Sequence, residues 1–261
     1  MTFQPEAKPG PWIAALSGSH ERLENLAAPL TAEQLRSRSY DSEWSIAQVL
    51  SHIGSGAEIF GLFLAAARDG EEPPDRETFG RVWDRWNAKS PQAQATDALV
   101  TDGQLVAALE ALDSGQLSRI RLTLMGMETD VAGMVRMRLS EHAIHTWDVE
   151  VALEPAAVIA PVPVSLLIDG LDQMVGYVGK PTGLYANVRV RTSDPDRDLA
   201  LTIGDAVTLS EWAGGEPTAE LSLPAEALLR LTTGRLDPDH TAALIITGLD
   251  LSELRKVFPG F

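Results

Sequence analysis

The amino-acid sequence predicts an all-helical N-terminal domain over residues 1–155, followed by a smaller α+β domain over residues 156–261. Three observations carry this reading. Apolar residues recur at helical spacing through the first part of the chain. Prolines at positions 155, 161 and 163 then break the pattern. Beyond Tyr185 the apolar runs are short, alternate in character and are separated by turn residues, as in strands.

Taken in order, the first helix spans Trp12 to Leu26, with Trp12, Ile13, Leu16, Leu23 and Leu26 as its apolar positions. The second begins near Ser45, where Ser45-x-x-Gln48 fits a capping box. Its positions Ile46, Val49, Leu50, Ile53, Ala57, Phe60 and Leu64 sustain the i, i+3, i+4, i+7 pattern better than any other segment. Phe79 to Asn87 holds Trp83 and Trp86, and Thr101 starts a further helix with Leu105, Leu109 and Leu112. Met125-Gly126-Met127 reads as a bend, and a helix from about Val131 to Leu153 closes the domain. Pro161 and Pro163 read as a linker, and one helix from Val164 to Val178 follows. Strands are expected at Tyr185–Arg191, Leu199–Ile203, Val207–Trp212 and Ala219–Leu223, with turns or hairpins at Asp194-Pro195, Gly204-Asp205 and Gly214-Gly215. A helix from Pro224 to Leu231, a strand at Leu244–Thr247 and a helix at Leu251–Phe258 complete the α+β domain.

The composition excludes several function classes. A formal net charge of −16 argues against nucleic acid as a partner, because phosphate binding needs a basic surface. The same charge argues against docking on anionic membranes. Met1 to Gly10 has no apolar signal-peptide core, and no stretch is apolar throughout for about 18 residues, so a cytoplasmic protein is expected, as monomer or homodimer. The chain has no cysteine, which removes disulfides, Cys-based metal sites and an internal thiol nucleophile. Any thiol chemistry must use a thiol from outside, and metal ligands must come from His and carboxylates.

One such set is present. Glu141 and His145 are four residues apart, so on a helix they project from one face a turn from each other. Met134, Arg138, Glu141, His145, Asp148 and Ala152 share a face about 80° wide at 100° per residue. His52 lies on the flank of its own helical stripe and is a candidate third ligand from a facing helix. Two His and one carboxylate with one position open form a catalytic rather than a structural zinc set. Asp148, a turn beyond His145, is a candidate to orient its ring, and Arg138 is a candidate to orient Glu141 or to meet an anionic substrate. A buried Arg138–Asp148 ion pair is the plainer alternative. Arg235 is a candidate for recognising a carboxylate, against simple surface placement. His142, about 100° around the helix from Glu141, reads as a surface or packing residue. His20 and His240 read as solvated, Trp44 as a bundle anchor, and Trp83 and Trp86 as packing or pocket wall.

The stretch Trp44-Ser45-Ile46-Ala47-Gln48-Val49-Leu50-Ser51-His52, with Arg138-x-x-Glu141-x-x-x-His145-x-x-Asp148, resembles the mycothiol-dependent maleylpyruvate isomerase family. The N-terminal part of that family belongs to the DinB-like metal-binding four-helix bundles. Leu228 to Arg235 and Ile246 to Asp250 look like its C-terminal domain, which is similar to sterol-carrier-type α+β folds. The resemblance implies that His52, Glu141 and His145 hold Zn2+ or another divalent metal. It also implies that mycothiol, the small thiol of actinobacteria, binds there as cosubstrate and acts on a small electrophile. The reaction implied is either cis–trans isomerisation of an unsaturated diacid such as maleylpyruvate or transfer of the thiol. A thiol-free metal-dependent hydrolase and a non-enzymatic small-ligand-binding protein are the alternatives.

Overall fold

The computed structural model describes residues 9–40, 43–124, 126–241 and 244–260. It divides into two compact units, Met1–Ala157 and Val158–Phe261.

The first unit contains helices α1 (Pro9–Ala27), α2 (Ala32–Arg36), α3 (Ile46–Asp69), α4 (Arg76–Asn87), α5 (Pro91–Glu110) and α6 (Ser114–Arg119). A hairpin of β1 (Arg121–Leu124) and β2 (Met127–Asp130) follows, then α7 (Val131–Val151). Side chains cap most of these helices by satisfying the free N–H groups of the first turn. Ser45 and Gln48 form the reciprocal capping box that starts α3, and Gly70, left-handed at φ 73°, ends it. Asp130 is both the last residue of β2 and the cap of α7, accepting from the Gly133 N–H at 2.8 Å.

Helices α1 and α3 each pack against both α5 and α7, which makes a bundle with α1 diagonal to α3 and α5 diagonal to α7. Leu16, Leu23, Leu50, Ile53, Leu109, Val135 and Leu139 fill its centre. By length and composition α3 alone among the described helices is apolar enough to cross a membrane; most of its apolar residues are buried in this bundle.

The structure departs from the sequence reading at three points in this unit. Helix α5 starts ten residues before Thr101, at Ser90-Pro91, where Ser90 caps and proline takes its allowed first-turn place. The apolar side chains its early turns bury are small, Ala95 and Ala98, and leave little apolar signature. The short helices α2 and α6 and the hairpin were not foreseen. The expected bend is the hairpin's turn at Gly126, at φ 85°; Met125 lies outside the described residues.

The second unit begins with α8 (Pro161–Leu167), a 3-10 turn (Ile168–Gly170) and α9 (Leu171–Val178). Strands β3 (Ala186–Ser193), β4 (Arg197–Ile203), β5 (Val207–Glu211) and β6 (Ala219–Pro224) follow, then α10 (Ala225–Thr232), β7 (Ile245–Thr247) and α11 (Leu251–Val257). The sheet order is β5-β4-β3-β6-β7; β3 and β6 are parallel and the other pairs antiparallel. Val188 and Val190 on β3, with Ala219, Leu221 and Leu223 on β6, alternate into the core. Helix α10 packs against β3 and β6, and α9 packs against β5.

Pro161 and Pro163 belong to the first turn of α8 instead of a linker, where their missing N–H groups cost nothing. The single helix expected from Val164 to Val178 is broken at Ile168–Gly170. Gly214-Gly215 is not a hairpin turn: it carries the chain from the edge strand β5 across to β6, on the far side of β3. With these corrections the fold class read from the sequence, a helical N-terminal part followed by a mixed-sheet α+β part, is the one observed.

Candidate metal centre

Helices α3 and α7 bring His52, Glu141 and His145 together. One donor atom from each lies within 4.8 Å of the other two. His52 Nε2 is 3.4 Å from Glu141 Oε2, and His145 Nε2 is 3.5 Å from the same oxygen. Charge-assisted N–H···O contacts close to about 2.7–2.9 Å. Donors placed about 2.0–2.1 Å from a tetrahedral zinc sit about 3.3–3.4 Å from one another. The observed spacings match the edges of a metal tetrahedron better than hydrogen bonds, so the donor set fits a divalent ion. The two imidazole rings meet edge to face at 4.6 Å between centroids.

His145 is oriented from behind. Asp148 Oδ2 accepts from its Nδ1 at 2.8 Å, which assigns the proton to Nδ1 and leaves the Nε2 lone pair facing Glu141 and His52. The Asp148 side chain is buried, while that of Glu141 keeps 45 % of its accessible surface. Burial alone would push the Glu141 carboxyl up. The His145 and His52 side chains beside it outweigh this and hold it well below the usual carboxylate range, so it is ionised. Trp44, just before the cap of α3, lies with its ring 5.4 Å from that of His52 and forms an apolar flank to the site.

Arg138 does not reach Glu141 or Asp148. It is 2 % exposed, and its Nη2 donates to Asp102 Oδ1 at 2.6 Å and to the Ile53 carbonyl at 2.9 Å. Arg235 lies in the second unit, in the turn after α10, where its Nη1 donates to the Thr233 carbonyl at 2.8 Å.

Asp102, on α5, is the residue the sequence reading missed. It is fully buried, and its Oδ2 also accepts from His142 Nε2 at 2.9 Å and His20 Nδ1 at 2.8 Å. His142 is packed in the interior, with Ser19 Oγ donating to its Nδ1 at 2.8 Å. His20 is therefore not solvated, and neither is His240, which is half-buried against Asp237 at 3.0 Å. Burial opposes ionisation of Asp102, but the charges of His142 and Arg138 and the hydrogen bonds from His142 and His20 hold it well below its ordinary value. Burial pushes His142 down, against the pull of Asp102, and the hydrogen bond to Asp102 raises His20. Trp86 is buried, its Nε1 donating to Glu58 Oε2 at 2.8 Å, whereas Trp83 is 48 % exposed.

The sequence matches the family model described as the mycothiol maleylpyruvate isomerase N-terminal domain over residues 16–150, and that of the MDMPI C-terminal domain over residues 161–252. The chain belongs to the mycothiol maleylpyruvate isomerase family. This is an enzyme family. Its fold is that of the crystal structure of the mycothiol-dependent maleylpyruvate isomerase, with a TM-score of 0.68 and 14 % identity over 95 % of this chain and 96 % of that one. A crystal structure of that enzyme's H52A mutant, in its own numbering, matches with a TM-score of 0.67 and 14 % identity over 94 % and 95 % of the two chains. A search of curated proteins gives no significant match.

Proposed function

We propose that this protein is a zinc- or other divalent-metal-dependent enzyme that uses mycothiol as an external thiol to act on a small electrophilic substrate. The reaction is isomerisation about the cis double bond of an unsaturated acid, or transfer of the thiol to the electrophile. The observation that carries the reading is the His52–Glu141–His145 donor set, with both histidine Nε2 atoms at tetrahedral edge spacing from Glu141 Oε2, in a chain of this family. Three protein donors leave a coordination position open, as catalytic sites require.

A divalent ion bound there supplies a Lewis-acid centre that favours ionisation of a coordinated thiol near neutral pH. The chain's own residues set the conditions for it. Ionised Glu141 and two neutral imidazoles contribute a single negative charge, so the loaded centre keeps a net positive charge toward an anionic sulfur. Asp148 fixes His145 in the tautomer that presents Nε2. The Trp44 ring keeps one side of the site apolar, which strengthens electrostatic attraction within it. With no cysteine in the chain, no internal thiol competes for the ion.

Product analysis of the full-length protein with mycothiol and maleylpyruvate, before and after chelation, tests this. Turnover to the trans acid with the thiol returned supports isomerisation, and stoichiometric loss of the thiol to an adduct supports transfer. Metal-dependent turnover that survives complete removal of mycothiol would overturn the thiol reading in favour of metal-assisted hydrolysis.

A further inference from the structure

We propose that Asp102 is a positioning residue for the metal centre, acting through Arg138 and His142 to fix the ligand-bearing faces of α3 and α7 against each other. The inference rests on the metal reading above and extends it to a residue on a third helix.

The geometry is specific. The two oxygens of one carboxylate grip α7 at points a turn apart: Oδ1 holds Arg138 and Oδ2 holds His142. These two residues bracket Glu141 in sequence. The Arg138 nitrogen that binds Asp102 also donates to the carbonyl of Ile53, the residue after His52. A single guanidinium therefore joins the helix that carries Glu141 and His145 to the helix that carries His52, and Asp102 holds that guanidinium in place. Gly56, one turn beyond His52, makes room for it; a Cβ there would lie 2.9 Å from Arg138 Nη1.

Stability alone gives no reason for this arrangement. Buried ion pairs are often matched or bettered by apolar residues of similar volume, and fixing register is their best-attested use. Register matters here because a donor atom about 6 Å from a helix axis moves about 1 Å for each 10° of helix rotation. Metal sites hold their distances within about 0.2 Å. A few degrees of unrestrained rotation of α7 against α3 would open the donor set.

The test is cobalt(II) uptake by the full-length protein, read by ligand-field absorption and by competition with a chelator. Asp102→Asn, Gly56→Ala and Arg138→Lys are compared with Leu23→Ala, which leaves a cavity at a buried position of α1 and removes none of the network's hydrogen bonds. Gly56→Ala keeps every charge, so it remains informative if Asp102→Asn does not fold. The expected result is a shifted spectrum and affinity weakened about 10- to 100-fold in the network variants, the scale typical of lost support behind metal ligands, with both unchanged in Leu23→Ala. Folded network variants with wild-type spectrum and affinity would overturn the positioning role and leave the metal reading standing. An equal change in Leu23→Ala would overturn it too, by showing a general effect of stability. Wild-type protein that takes up no cobalt would overturn the metal reading, and the positioning role with it.

Discussion

Replacing Asp148 by Asn should weaken metal binding without unfolding the protein. In the native structure the buried Asp148 carboxylate accepts from His145 Nδ1 at 2.8 Å. An ionised acceptor both selects the tautomer with Nε2 free and makes that nitrogen a better donor to a cation. Asn has nearly the same shape, and its carbonyl still accepts the hydrogen bond, but the charge is lost. A hydrogen bond to a charged group contributes about 1.5–3 kcal/mol and a neutral one about 1 kcal/mol. The difference, about 0.5–2 kcal/mol, corresponds to about 2- to 30-fold in affinity at RT of about 0.59 kcal/mol. Competition titration of zinc against a chromophoric chelator measures it, with circular dichroism to establish that the variant is folded. A folded Asp148→Asn protein with wild-type affinity would refute the assignment of Asp148 as the group that orients His145.

Asp102→Asn is expected to cost about 3–5 kcal/mol at neutral pH, because it leaves the buried Arg138 charge without its partner. Native Asp102 is held below its ordinary value, so this contribution is complete above the unfolded carboxyl's range and fades as pH falls. Below about pH 3.9 the stability gap between wild type and variant should narrow by about 1.4 kcal/mol per pH unit, as urea denaturation at a series of pH values would show; a gap independent of pH would contradict the buried carboxylate. Gly54→Ala should destabilise the bundle by about 1–3 kcal/mol although alanine favours helices, since its Cβ would lie 2.3 Å from Trp86 Cη2 and 2.8 Å from the Ala98 Cα. Thermal unfolding checks this, and a raised midpoint would show that Trp86 has room to move.

The parts of the fold legible in the sequence are those whose apolar residues are large and regularly spaced. Leu50, Ile53 and Phe60 announce α3, whereas the first turns of α5 bury Ala95 and Ala98 and went unseen. The hairpin at Arg121–Asp130 buries little beyond Leu122, Leu124 and Thr129, and its strands of four residues are too short for a period of two to stand out. The pairing of Glu141 with His145 follows from helix geometry alone. The convergence of His52 on them depends on which helices are neighbours; its place on the flank of the α3 stripe makes it a candidate, and the family resemblance adds to that. Asp102 was hidden by the misplaced start of α5: an acid next to a supposed first residue at Thr101 looks like ordinary first-turn stabilisation of the helix dipole. Placed correctly, it falls in line with Ala95, Ala98, Leu105 and Leu109 on the buried face of α5, where an acid demands a partner. A shared helix face points Arg138 toward Glu141 or Asp148; its partner Asp102 comes instead from the diagonal helix, which no local pattern reveals.

Metal analysis of the purified full-length protein beside His52→Ala and His145→Ala tests the central claim most directly. About one divalent ion per chain in the wild type, lost in both variants, is the expected result for a catalytic site with three protein ligands. Wild-type protein without metal after incubation with zinc, or metal retained in both variants, would contradict it.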